Sequence, residues 1–135
     1  MRLLATRFQE GEDLKIAIEQ FVRRNSLSSA TILSGVGSLG HVRVRMAGAQ
    51  PDKQDIRDYD GKFEIVSLMG NLGPNRVHLH IAFSDPEGKV LGGHLKEGSI
   101  VHTTVELVIA TEESIVFNEA VDAETGFNEL EITEK

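Results

Sequence analysis

A chain of 135 residues has the length of one domain, here residues 1–135, which excludes separate catalytic and regulatory modules. With 40% hydrophobic and 26% charged residues it has a globular composition, and no run of about 18 apolar residues is available to cross a membrane. A formal net charge of −7, with no Lys/Arg-rich run, argues against direct binding of nucleic acid. The absence of cysteine excludes disulfides and thiolate ligands, so any metal must be held by His, Asp or Glu. Met1 to Arg7 lack the apolar core of a secretion signal, and the expected location is cytoplasmic.

Residues 2–9 mix Leu3, Leu4 and Phe8 with Arg2, Arg7 and Gln9 and predict a short first strand. Beyond Gly11-Glu12-Asp13, Leu14, Ala17, Ile18, Phe21 and Val22 recur at helical spacing, with acidic residues near the start and Arg23 and Arg24 near the end. That predicts one amphipathic helix closing at Asn25-Ser26 and covering a sheet. Ala30 to Leu33 reads as a short buried strand running into Ser34-Gly35-Val36-Gly37-Ser38-Leu39-Gly40. The glycines match G-x-G-x-x-G, yet a dinucleotide fingerprint must open a helix, and His41 to Met46 alternates as a strand does. The glycines are therefore expected to shape a turn or a bulge. His41, Arg43 and Arg45 face outward on the strand that follows, with His41 a surface residue.

Residues 48–61 are polar and predict a long loop, followed by further sheet from Lys62 to Leu72. In that sheet segment Phe63, Ile65, Val66, Leu68 and Met69 put apolar groups on both faces of one strand. A single-layer sheet covered by one helix does not bury both faces unaided, which points to a neighbouring subunit.

Val77 to Phe83 alternates cleanly: Val77, Leu79, Ile81 and Phe83 share one face, His78 and His80 the other. Ser84-Asp85-Pro86-Glu87-Gly88-Lys89 has hairpin-loop chemistry, so the strand carrying Leu91 to Leu95 is expected to return antiparallel and place His94 beside the first two histidines. Histidines at i and i+2 stand about 6.7 Å apart at Cα, near enough for both rings to approach one ion. Three neutral imidazoles suit Zn²⁺ and leave a coordination position open. The plainer alternative is three polar-face histidines on a half-exposed sheet. Gly92 and Gly93 mark a bend or a close approach. On the next strand Val101, Val105, Leu107 and Ile109 alternate opposite His102 and Glu106. Glu106 and Asp85 are the candidate proton carriers beside a metal, and His102 is a reserve ligand. Ser114 to Phe117 reads as a last strand, and Asp122 to Gly126 as a turn into a tail with Leu130 and Ile132.

Gly11-Glu12-Asp13-Leu14, Ser34 to Ser38, Gly61 to Val66, His78 to Ala82, Gly88 to Leu95 and Val105-Glu106-Leu107, in this order, resemble the PPC domain. That plants and prokaryotes conserved domain stands alone in bacteria and archaea and is attached to AT-hook segments in plant nuclear proteins. The resemblance implies an α/β (α+β) fold, a mainly antiparallel, strongly bent sheet packed against one or two helices, assembling as a homotrimer. It also implies zinc held by His78, His80 and His94. The segment Gly61, Lys62, Phe63, Glu64, Ile65 and Val66 is implied as a contact for a protein partner or a neighbouring subunit. The Arg-Gly-Arg-Pro hook through which plant members bind DNA is missing here. The functions in view are a metal-binding trimeric module for assembly, ligand sensing or regulation; a zinc-dependent hydrolase or lyase acting on a small molecule; and a transcriptional regulator acting through a DNA-binding partner.

Overall fold

The apolar stripe Leu14, Ala17, Ile18, Phe21 and Val22 is wholly buried on a single helix, α1 (Leu14–Arg24), in the computed structural model, which describes residues 1–135. Asp13 caps it: one carboxylate oxygen accepts from the Ile16 amide and the other from the Gly98 amide at 2.7 Å, tying the helix start to a distant loop. Arg23 and Arg24 in the last turn complement the helix dipole.

Around the helix run β1 (Arg2–Gln9), β2 (Ala30–Arg45), β3 (Ile56–Gly73), β4 (Arg76–Ser84), β5 (Val90–Leu95), β6 (Ile100–Thr111), β7 (Ile115–Val121) and β8 (Asn128–Glu134). The first six form one antiparallel sheet in the order β1-β6-β2-β3-β4-β5, and β7 and β8 form a separate hairpin. The expected antiparallel, strongly bent sheet with one covering helix is thus present. Its bend is severe enough for β5 to return to β2, pairing Val44 with Leu95 and Arg45 with His94.

Glycine permits that closure. A Cβ on Gly93 would sit 2.7 Å from the Arg45 carbonyl oxygen, and one on Gly92 would sit 2.5 Å from that of Ile81. The close approach expected of this pair is therefore an approach of backbone on both sides of β5.

Three expectations need correction. The short strand expected over Ala30 to Leu33 is part of β2, which runs unbroken for 16 residues, and of the turn or bulge expected at 34–40 it is the bulge that forms, the register against β6 shifting between Ile32 and Ser34, Gly37 and Ser38, and Leu39 and His41. The bulges absorb the irregularity, and at Gly37 (φ +150°) the Thr104 carbonyl leaves no room for a side chain. The loop expected over 48–61 ends at Asp55, because Ile56 to Asp60 pair with Arg45 to His41 despite their polarity. The expected C-terminal tail is a strand, with Phe117 opposite Ile132 and Glu119 opposite Leu130.

Twenty-three buried apolar residues make one core, in which Phe83 meets the edges of Phe63 (5.1 Å between centroids) and Tyr59 (5.8 Å). Phe63 and Leu68 belong to it, whereas Val66 and Met69 stay more than half exposed, as do Leu33 and Val36 on the adjoining β2. The apolar surplus expected on β3 is real, and its outer half is uncovered in the single chain.

Candidate metal centre

Strand register builds the site. His80 on β4 pairs with His94 on β5, His94 in turn faces Arg45 on β2, and Met69 on β3 faces His80, so one row crosses four strands. One step along β4, His78 pairs with Asn71. Because Leu79 and Ile81 are locked into the core, their even-numbered neighbours must point out together. The three rings lie 4.9 Å (His78 to His80), 5.0 Å (His78 to His94) and 5.6 Å (His80 to His94) apart between centroids.

One nitrogen from each ring lies within 4.8 Å of the others. A tetrahedral ion with bonds of 2.0 to 2.1 Å needs its nitrogens about 3.4 Å apart, which small ring rotations achieve. An all-imidazole donor set, half-buried at His78 and His94, suits zinc or another borderline divalent cation and leaves a position for water or a ligand.

Two arginines flank the rings. Arg76 Nη2 donates to His78 Nδ1 at 2.8 Å and Arg45 Nη2 to His94 Nδ1 at 3.3 Å. A guanidinium has only donors, so both imidazoles accept and are neutral. Burial first, then the adjacent Arg76, lowers the pKa of His78; burial and then Arg45 push that of His94 down to about 3. Neutral rings are what a metal needs. Loading through Nδ1 displaces a guanidinium, and loading through Nε2 moves the ring proton to Nδ1 and breaks the same contact.

The two arginines differ in tenure. Arg76 is buried, and its guanidinium is also held by Asn71 Oδ1 at 2.7 Å and Glu119 Oε2 at 3.3 Å. Arg45 is half-buried, has no carboxylate within 4.0 Å, and lies 5.2 Å from the centre of the Phe127 ring. Both holding residues, Glu119 and Phe127, come from the β7–β8 hairpin.

Beside the row opens a cavity of about 500 Å³ lined by Arg45, His80 and His94 and by Met46, Met69 and Ala82 among others. Neither Glu106 nor Asp85 lines it. Glu106 is exposed on β6 between Arg7 and Val36 in register, and Asp85 Oδ1 accepts from the Glu87 and Lys89 amides, shaping the hairpin turn. His102 is engaged by Glu10 at 3.1 Å, not by the triad. His41, expected as a plain surface residue, is clamped between Asp60 (2.6 Å) and Asp58 (2.9 Å).

The sequence reading missed both arginines. Arg76 was legible, since Arg76, His78 and His80 share one face at period two. Arg45 carried no local signal, because only the closure of β5 onto β2 brings it to His94.

A bent, single-helix antiparallel domain with a histidine triad at its strand closure defines the class of protein. The model of the Plants and Prokaryotes Conserved (PCC) domain matches residues 1–113, and the chain belongs to that family. It is 37% identical over 132 residues, 98% of its length, to a segment of the bifunctional protein GlmU of Synechococcus sp. (strain JA-3-3Ab). It is 29% identical over 110 residues, 75% of its length, to AT-hook motif nuclear-localized protein 1 of Arabidopsis thaliana. The chain spans 21% and 30% of these two relatives.

Among solved structures, a hypothetical protein from Salmonella superposes with a TM-score of 0.92 at 37% identity, covering 99% of this chain and 94% of that one. Two others share the fold. One is a metal-containing protein from Archaeoglobus fulgidus (TM-score 0.80, 23% identity, 96% and 93% covered). The other is a protein from Bacteroides thetaiotaomicron named for DNA binding (TM-score 0.84, 20% identity, 96% and 91% covered).

Proposed function

We propose that this chain is a homotrimeric zinc-binding module in which His78, His80 and His94 hold the ion and the adjoining cavity receives a ligand that the module senses. The observation that carries the reading is the neutral triad, three ring nitrogens within 4.8 Å of one another. The metal-containing Archaeoglobus fold relative accords with it. Elemental analysis tests it, with about one zinc per chain expected in the wild type. An anomalous-scattering map at the zinc edge with no peak between the three rings overturns it.

The assembly reading rests on the uncovered apolar residues Leu33, Val36 and Val66 on neighbouring strands, a patch suited to burial by a second copy. In the segment 61–66 the exposed residues Gly61, Lys62, Glu64 and Val66 are the ones free for contact, since Phe63 belongs to the chain's own core and Ile65 is half-buried. Light scattering of wild type and Val66→Glu is the check. A monodisperse species near 14.8 kDa for wild type refutes the trimer.

The cavity also favours a second reading, a zinc-dependent hydrolase or lyase acting on a small molecule. It ranks behind because no carboxylate lines that space to carry a proton. A regulatory role through a DNA-binding partner is prompted by the AT-hook relatives. Residues 1–111 carry thirteen acidic and thirteen basic side chains, whereas residues 112–135 carry eight acidic ones and a single lysine. The repulsion of nucleic acid expected from the net charge therefore arises at the C-terminal hairpin, and the body of the domain is neutral. Copurification of a DNA-binding protein with the wild type supports this reading.

A further inference from the structure

We infer that Arg45 is the anchor for a carboxylate-bearing ligand with a short apolar chain, which occupies the cavity beside the triad and is clasped when the triad is loaded. The inference rests on the reading of the triad as a ligand-sensing metal centre. Arg45 is the one cation lining that cavity, and it is half-buried without a carboxylate partner. A partly desolvated guanidinium in that condition is costly, and the protein compensates it here with the Phe127 ring and the His94 lone pair. Loading of the triad withdraws that lone pair, by either nitrogen, and frees the Nη2 donor. Arg76 undergoes the same loss at His78 but stays bound to Asn71 and Glu119. The structure therefore holds one guanidinium fixed and leaves the other to turn its planar fork toward an anion.

The rest of the lining selects the anion. A phosphate presents more acceptor atoms than one guanidinium satisfies, and the only other side-chain donors around this space are Ser67 and the histidines. Met46, Met69 and Ala82 offer apolar surface where a phosphate needs donors and a hydrocarbon chain needs cover. A carboxylate paired to a two-pronged guanidinium, its chain against those residues, meets both conditions. The Phe127 ring, its centre 5.2 Å from the Arg45 guanidinium carbon, holds that end of the side chain beside the cavity while the fork turns, which makes it a positioning residue.

The test is isothermal titration of zinc-supplied protein with butyrate, neutral butyramide and inorganic phosphate, with zinc content measured on each sample. Wild type is expected to bind butyrate saturably and the other two at least about tenfold more weakly, as loss of a charge-assisted hydrogen bond implies. Arg45→Gln is expected to lose about tenfold in butyrate affinity or more with its zinc content unchanged, and Arg45→Lys, which keeps charge but not the fork, to fall between. Phe127→Ala is expected to weaken butyrate while leaving butyramide as it was, which general loosening of the hairpin does not do. Equal butyrate binding by wild type and Arg45→Gln overturns the inference, as does tighter binding of phosphate or butyramide. Arg45-dependent butyrate binding in a protein with no zinc upholds the anchor and removes the metal centre. Normal zinc with no butyrate binding removes the anchor alone, and absence of both removes the two together. Should Arg45→Gln fail to fold, the Arg45→Lys and Phe127→Ala titrations decide by the same criteria.

Discussion

His41 on β2 and the triad on β4 and β5 lie on one sheet and use one side-chain type, yet their neighbours carry opposite charge. Each nitrogen of His41 faces a carboxylate, and only the protonated ring donates to both. Hydrogen bonds to Asp60 and then Asp58 accordingly raise its pKa above the ordinary value. At His78 and His94 burial and the arginines act the other way and preserve a lone pair. The lesson is that a histidine's partners across the sheet decide whether it holds a proton or a metal. His-x-His spacing alone does not.

Removal of a metal ligand has the largest expected effect. His80→Ala is expected to take zinc from about one per chain to near zero, while His41→Ala leaves it unchanged. Equal metal in wild type and His80→Ala assigns the ion elsewhere. Next comes the buried arginine. Arg76→Met strips Asn71 and Glu119 of their partner and is expected to cost about 2 to 3 kcal/mol in chemical denaturation, below the full figure for a buried pair because Glu119 is partly exposed. A loss under about 0.5 kcal/mol shows that Arg76 holds nothing in place.

How much of this was legible in the sequence depended on whether the signal was local. The helix stripe and the β4–β5 hairpin were readable because Leu14 to Val22 and Val77 to Phe83 state their periods without reference to any other segment. The unbroken β2 was not. Its glycines left a turn and a bulge equally open, and only the partner strands β3 and β6 decide for the bulge. Ile56 to Asp60 misled in the same way, since charged residues on a paired strand read as a loop. The triad was legible as one face of a hairpin, whereas Arg45 became its neighbour through a closure that Gly93 allows and no sequence period announces.

Proton NMR of the histidine rings in metal-stripped protein reads the two regions separately. His41 is expected to titrate above its ordinary value, His78 below it, and His94 near 3. Arg45→Gln is expected to move His94 upward only part of the way, because burial is the larger cause. No movement in that variant means that burial alone keeps the ring neutral.

The smallest effect is on stability against pH, and its sign differs between the two regions. His41 in the folded chain has a pKa above its unfolded value, so the folded state binds the proton more tightly. Its contribution is complete below about pH 6.5, the ordinary unfolded value, and is lost as pH rises through the folded pKa. His94 has a folded pKa near 3, so between pH 6.5 and 3 the unfolded chain takes up a proton that the folded chain refuses. Its neutral ring is accommodated at no such cost above pH 6.5, and stability falls as the solution is acidified through that window. His41→Gln removes the first dependence without touching the second. The variant is expected to be less stable than wild type at pH 5.5 by no more than about 1 kcal/mol, the scale of an exposed ion pair, and to converge on it at alkaline pH. Raising salt is expected to narrow the gap at pH 5.5, since Asp58 and Asp60 are both exposed to solvent. A gap that widens with rising pH makes the carboxylate clamp a source of strain and reverses the contrast with the triad.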